Sequence, residues 1–424
     1  MPRVLARLLF VCVLLPFGLC AAPPREVAEQ VAATIQREYF DPERAQRIAD
    51  ELRGQTAAGR FDGLGSPLEL ASALTAVLKP QDRHFVVRWS PPSDARASAP
   101  RRGPVFDPAA SNFGIRRVEV LPGNVGYLDL GYFADIDFNA AQDPARAAID
   151  AALQLLAHVD ALLVDVRDNG GGSPAMVGYL SSAFVAPGAD IYNTFHGRGG
   201  SESEAPARSY AAPRTALPLY VLASGRTGSA AEAFAYTLAN AGRAVLVGEV
   251  TGGAANPGQP FDAGDGFSVF VSTGTPVSPI TGRNWEGTGV QPQEPAEAGV
   301  ALERAHELAL AALVAGGAGG PARWTLEALR SRATPPDAAA AQALAGDYGM
   351  VRIELDDQGA LLLRQGRRPA LQLRALGADL FHVASDPTRR VRFERNAAGE
   401  PVALEMLWAT GEMARHVRGP APAQ

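Results

Sequence analysis

The sequence is short of the residues that build covalent or metal frameworks. Its two cysteines, Cys12 and Cys20, both fall at the very start of the chain. A mature form without that stretch has no disulfide, no thiol nucleophile and no cysteine metal site. Lysine is nearly absent: Lys79 is the only one in 424 residues, and arginine supplies every other basic side chain. The formal net charge is −6, which gives no electrostatic footprint for nucleic acid. No periodic repeat recurs, and no long polar tract argues for disorder. Long apolar runs are missing too, because the longest, Leu8 to Leu19, is too short for a comfortable membrane span.

That run has a different meaning. Arg3 and Arg7 precede it, the small residues Ala21 and Ala22 follow it, and Pro23-Pro24 comes next. A charged start, an apolar middle and small residues at the end make residues 1–22 an expected signal peptide, and the protein an exported one, periplasmic or secreted. Cys20 also permits a lipoprotein reading, against which Leu19 is a poor residue to precede a lipidated cysteine.

The length predicts two or three domains. Residues 23–108 read as helical, with Val27, Val31, Ile35 and Tyr39 at helical spacing, then Ala45, Ile48, Ala49 and Leu52. Ser66-Pro67 opens a third helix, and the Pro- and Arg-rich stretch from Ser90 to Pro108 reads as a linker. Residues 109–315 alternate strands with helices, the pattern of an α/β domain with a largely parallel sheet. Strands are expected at Val125 to Leu130, Ala161 to Val166, Leu217 to Ala223, Ala244 to Gly248 and Phe267 to Ser272. Helices are expected at Pro144 to Ala157, Pro174 to Phe184, Ala230 to Asn240 and Val300 to Leu313. Residues 316–344 read as a linker holding a helix around Leu326 to Arg330, and 345–418 as a small antiparallel barrel or sandwich.

Two stretches could carry chemistry. The strand from Leu219 to Ala223 leads through Gly225-Arg226-Thr227-Gly228 into Ser229 and a helix. A serine at that junction meets unpaired N–H groups and the positive end of the helix dipole. Such a place suits a nucleophile whose attack generates an oxyanion, with Ala230 N–H a natural donor. The plainer alternative is a capping box, with Ser229 as cap and Glu232 answering three residues on. In the second stretch, Ala161 to Val166 runs into Arg167-Asp168-Asn169-Gly170-Gly171-Gly172. The glycines allow close backbone approach to a ligand, or a tight strand-to-helix turn and no more. They match neither nucleotide-binding glycine pattern.

Together these residues resemble the tail-specific (C-terminal-processing) serine peptidase family, in the branch of the tricorn core and the interphotoreceptor retinoid-binding protein repeats. Asp165 to Gly172 looks like the family's Asp-Leu-Arg-x-Asn-x-Gly-Gly, and Thr227 to Glu232 like its nucleophile segment Thr-x-Ser-Ala-x-Glu. Gly248 to Gly253 looks like its Gly-x-x-Thr-x-Gly. Asn284 to Pro292 and Asp82-Arg83-His84 resemble the retinoid-binding-protein branch. The resemblance spans roughly residues 25 to 312. It implies a crotonase-like ββα superhelix, Ser229 as nucleophile, His84 as its base, Glu286 supporting the histidine, and an oxyanion hole from Ala230 with Gly170 or Gly171. It implies no cofactor and no metal, and a peptide or protein substrate.

The sequence departs from the classical pattern. The stretch from His84 to Gly126 is too short for the usual PDZ domain, and Ala254 stands where the dyad lysine is expected. The base must then be another group, and histidine is the usual choice near neutral pH. His158 and His306 read as packing or surface residues, and His382 and His416 belong to the C-terminal strands. His196 remains a minor candidate beside His84. Arg83 stands where tricorn has serine, and Gln293 where the family commonly has aspartate. A binding protein that uses the cleft for an apolar ligand, and a small-substrate esterase, are the alternative readings.

Overall fold

The computed structural model describes residues 23–91 and 107–419. The expected signal peptide, both cysteines and most of the expected linker at 90–108 lie outside the described residues. Contacts divide the chain into two units. One holds the N-terminal residues together with 197–199 and 257–274, and the other holds the rest.

The first unit begins with helices Pro24–Glu38, Pro42–Ala57 and Pro67–Leu78. Each has proline at its first position, where the missing N–H costs nothing. Asp41 caps the second by accepting from Arg44 N–H at 3.0 Å. Ser66 occupies the cap position of the third, but its hydroxyl makes no capping bond. Val27, Val31, Ile35, Leu52 and Leu74 are fully buried. They pack against an antiparallel three-stranded sheet in which Phe267–Ser272 lies between Val86–Trp89 and Gly258–Asp262. The sequence reading placed Phe267–Ser272 in the α/β region. Its buried residues Phe267, Val269 and Val271 instead complete the helical core. A strand's partner is set by non-local pairing, which alternation alone does not encode.

The second unit is built on a six-stranded sheet. Its order is Glu294–Pro295, Val245–Gly248, Leu219–Ala223, Ala161–Asp165, Val125–Leu130 and Ile115–Leu121. All neighbours are parallel except the last pair, which is an antiparallel hairpin. Both faces are covered, as a parallel sheet requires. Leu162, Val164, Leu219, Val221 and Leu246 point into one core with helices Pro144–Leu155, Pro174–Ser182 and Ala230–Asn240. Their alternates Ala161, Leu163, Tyr220, Leu222 and Val247 point into the other, under helix Ala301–Ala315. The chain is thus a mixed α/β protein.

The stretch expected to be mostly linker is more ordered than that. Helix Gly320–Arg330 packs Ala322 and Leu326 into the core beneath Ala301–Ala315, and Ala338–Leu344 follows it. The C-terminal region is an eight-stranded antiparallel meander in sequential order, from Gly346–Tyr348 to Met413–Val417. Gly419 N–H donates to the Asp347 carbonyl at 2.8 Å, which returns the last strand to the first.

Candidate active site

Ser229 sits between the carboxyl end of strand Leu219–Ala223 and helix Ala230–Asn240. Glu232 Oε2 accepts its N–H at 2.8 Å, so the reciprocal half of a capping box is formed. The backbone is not that of an ordinary cap. A capping residue has extended angles, whereas Ser229 has φ 51° and ψ −121°. A non-glycine residue held in so sparsely populated a region costs about 1–3 kcal/mol and persists only where its surroundings dictate it.

Those surroundings are specific. Glu232 is fully buried. Besides Ser229 N–H, its carboxylate accepts from Thr251 Oγ1 at 2.5 Å, Gly253 N–H at 2.6 Å and Ala254 N–H at 2.8 Å. Thr251 Oγ1 in turn accepts Val290 N–H at 2.8 Å. One carboxylate, directly and through Thr251, therefore ties two of the other singled-out segments to the serine turn, three segments in all. Asn169, also fully buried, binds the fourth. Its carbonyl accepts Gly228 N–H at 3.0 Å, and its side chain donates to Leu130 O and accepts from Gly171 N–H, both at 2.9 Å. Thr227 Oγ1 donates to Val166 O at 2.8 Å.

The glycine turn packs directly on the serine. Gly171 has φ 122°, and a Cβ there would stand 2.8 Å from Ser229 Cβ and 3.2 Å from Ala230 N. No other residue type fits. In this structure its N–H is donated to Asn169 Oδ1, and the missing side chain is what lets the turn lie against Ser229. Among the described residues, neither Gly170 N–H nor Ala230 N–H donates to a protein acceptor.

Glu286 follows the buried Trp285. Its Oε2 accepts Ala255 N–H at 2.8 Å and Asn256 N–H at 3.0 Å, which fixes the turn after Ala254. Ser229, Ala230, Gly170, Gly171 and Glu286 all belong to the second unit, and His84 belongs to the first.

The surroundings of His84 hold a residue to which the sequence reading gave no role. Asp82 Oδ1 lies 2.9 Å from His84 Nδ1 and accepts His84 N–H at the same distance. Its Oδ2 accepts from Tyr39 Oη at 3.1 Å and Ser272 Oγ at 2.9 Å. Burial opposes the charge of this carboxylate. The hydrogen bonds from His84 and Ser272 outweigh it and hold the pKa below the ordinary value. An anion on Nδ1 fixes the proton there and leaves Nε2 as the basic nitrogen. The signal was legible in part, since an aspartate two residues before a histidine in a turn can bond both its ring and its backbone.

Three of the other histidines are otherwise engaged. His196 Nδ1 pairs with Ser201 Oγ at 2.7 Å, and His306 Nε2 with Pro122 O at 2.8 Å. His382 Nδ1 contacts its neighbour's carbonyl, Val383 O.

Residues 124–296 match the model of Peptidase family S41. Over 169 residues the chain is 31% identical to carboxyl-terminal-processing peptidase 1, chloroplastic, of Arabidopsis thaliana, covering 39% of this chain and 33% of that protein. It thus spans about a third of that curated relative. Among solved structures, a putative peptidase from Parabacteroides merdae aligns with TM-score 0.48 and 18% identity, covering 68% of this chain and 97% of its own. The photosystem II D1 C-terminal processing protease aligns with TM-score 0.44 and 18% identity, covering 65% and 94%.

Proposed function

We propose that this chain, whose segment 124–296 matches the Peptidase family S41 model, is an exported serine peptidase of that family with Ser229 as its nucleophile. The observation that carries the reading is the backbone of Ser229, held at φ 51° at a helix start against a glycine turn that admits no side chain. A cap needs neither feature. Both suit a nucleophile on a strand-to-helix turn, whose Oγ must stand clear of the sheet while donors lie beside it.

In the proposed reaction Ser229 Oγ attacks the peptide carbonyl carbon. His84 Nε2 takes the hydroxyl proton and later gives it to the leaving amine. Asp82 holds the tautomer and opposes the positive charge that forms on the ring. Glu286 adds negative charge in support of the imidazolium, as the family resemblance implies. Ala230 N–H and Gly170 N–H receive the oxyanion. Water then repeats the sequence on the acyl-enzyme and frees Ser229. With Ala254 in place of a dyad lysine and no metal or cofactor in the scheme, proton transfer rests on the histidine. The crotonase-like description of the α/β unit, export through residues 1–22 and the lack of a PDZ domain belong to the same proposal.

The test is a peptide digest with wild type and Ser229→Ala side by side, together with labelling by a serine-directed phosphonate. Wild type should be labelled and cleave, and the variant should do neither while keeping its circular dichroism. Turnover by a clean Ser229→Ala preparation would remove the assignment. A wild type that is folded but never labelled would favour the apolar-ligand-binding reading.

A further inference from the structure

A groove of about 770 Å³ runs within the second unit between helix Gly320–Arg330 and the C-terminal strands. It shares no residue with the Ser229 site. Val314, Leu326, Leu376 and Leu380 form its apolar part, and Arg323, Arg330, Arg332 and Arg390 its polar part.

The charges are unequally matched. Arg330 Nε pairs with Glu307 Oε1 at 2.8 Å. Arg390 NH2 pairs with Glu327 Oε2 at 2.6 Å, and its guanidinium lies 4.2 Å over the Trp324 ring. Its side chain is only 8% exposed, and its buried Nε has no hydrogen-bond partner. Among the described residues no carboxylate pairs with Arg323 or Arg332. The groove therefore keeps two positive charges without carboxylate partners at its rim, on a protein whose net charge is negative.

The groove also continues. Ser331 and Ala333 line both it and a second cavity of about 480 Å³, whose other walls include Leu361, Leu373 and Phe381. A small anion would leave this length unfilled. A nucleic acid needs a longer row of phosphate contacts than two free arginines supply. We propose that the groove is a docking site for an extended peptide segment that carries carboxylate side chains among aliphatic ones. Its acids would meet Arg323 and Arg332, and its aliphatic side chains would enter the apolar walls. Such a site would hold a substrate or partner protein away from the reacting serine.

The test uses the full chain with Ser229→Ala, so that cleavage cannot remove the probe, and it reads binding alone. Fluorescence anisotropy is measured with a labelled peptide of alternating glutamate and leucine, and with its counterpart bearing glutamine for glutamate. The glutamate peptide should bind at least about tenfold more tightly, and its affinity should fall with added sodium chloride. The double change Arg323→Glu and Arg332→Glu should weaken it by at least about tenfold, with thermal stability nearly kept because neither side chain pairs with a carboxylate among the described residues. Equal binding of both peptides, or no effect of the double change, would overturn the proposal. So would sedimentation with phosphatidylglycerol vesicles by protein that ignores the peptide, which would make the groove a membrane contact.

Discussion

Glu204 is buried, and its Oε2 accepts from Asn193 Nδ2 at 2.8 Å. Its Oε1 and the Asn193 Oδ1 are both buried without a partner. A protonated carboxyl joined to an amide through two bonds would satisfy both atoms at once. Burial does push the acid up to about 7, against the lowering effect of Asn193, and its charge adds to the burial that raises the neighbouring Tyr192. Because the folded state holds the proton more tightly, this group's contribution to stability is fully present below pH 4.5 and is lost as pH rises to about 7. At 1.36 kcal/mol per unit the effect is at most roughly 3 kcal/mol. Urea melts across that range should show the decline, and Glu204→Gln, which keeps the two-bond pairing without a titrating proton, should flatten it. Asp82 makes a second prediction. Asp82→Asn should lower kcat at least about a hundredfold with little change in KM, because the imidazole loses its tautomer and its counter-charge. His84→Ala should be as severe, and Lys79→Ala mild, with activity lost on acidification because a protonated histidine cannot accept the serine proton.

Elements meet at Glu232. Its carboxylate gathers donors from the serine turn and from the loop Thr251 to Ala254, so the strained Ser229 backbone is maintained by a neighbouring element as well as its own. Glu232→Ala should leave these buried donors without an acceptor and lower stability by on the order of 3 kcal/mol. A thermal melt checks this, and activity should fall further than stability alone explains, because the turn relaxes. Gly171→Ala acts from the opposite side. Its methyl would collide with Ser229, so activity should be lost even where the variant stays folded.

At the scale of the molecule, the segment after Ala315 joins two parts of one unit. Helix Gly320–Arg330 gives Ala322 and Leu326 to the core of the α/β sheet, and a Cβ on Gly320 would collide with the Ala409 carbonyl of the C-terminal meander. A chain ending at Arg323 would cut that helix and remove the buried Thr325 and Leu326. It should aggregate or melt well below the full chain. A chain ending at Pro336 keeps the helix whole and stops before Ala338–Leu344, whose Ala341 and Leu344 pack into the meander core. That truncation should fold and keep turnover on a short unstructured peptide. Scanning calorimetry and a peptide assay on the two truncations would separate these outcomes.

Much was legible in the sequence because it is local. The helix starts expected at Pro67, Pro144 and Pro174 are observed, and Phe267–Ser272 and Ala230–Asn240 have the extents their patterns predict. The run Ala161 to Val166 declared a strand buried on both faces. The glycine turn and Ser229 could be singled out because a strand-to-helix junction exposes N–H groups wherever it occurs. Tertiary structure decided the rest, since partners distant in sequence leave no periodic trace. It gave Phe267–Ser272 to the helical core, set Tyr39 and Ser272 on Asp82, spent the Gly171 N–H on Asn169, and buried Glu204 beside Asn193. In each case the deciding interaction is a hydrogen bond or packing contact whose strength depends on burial, and burial is a property of the folded chain.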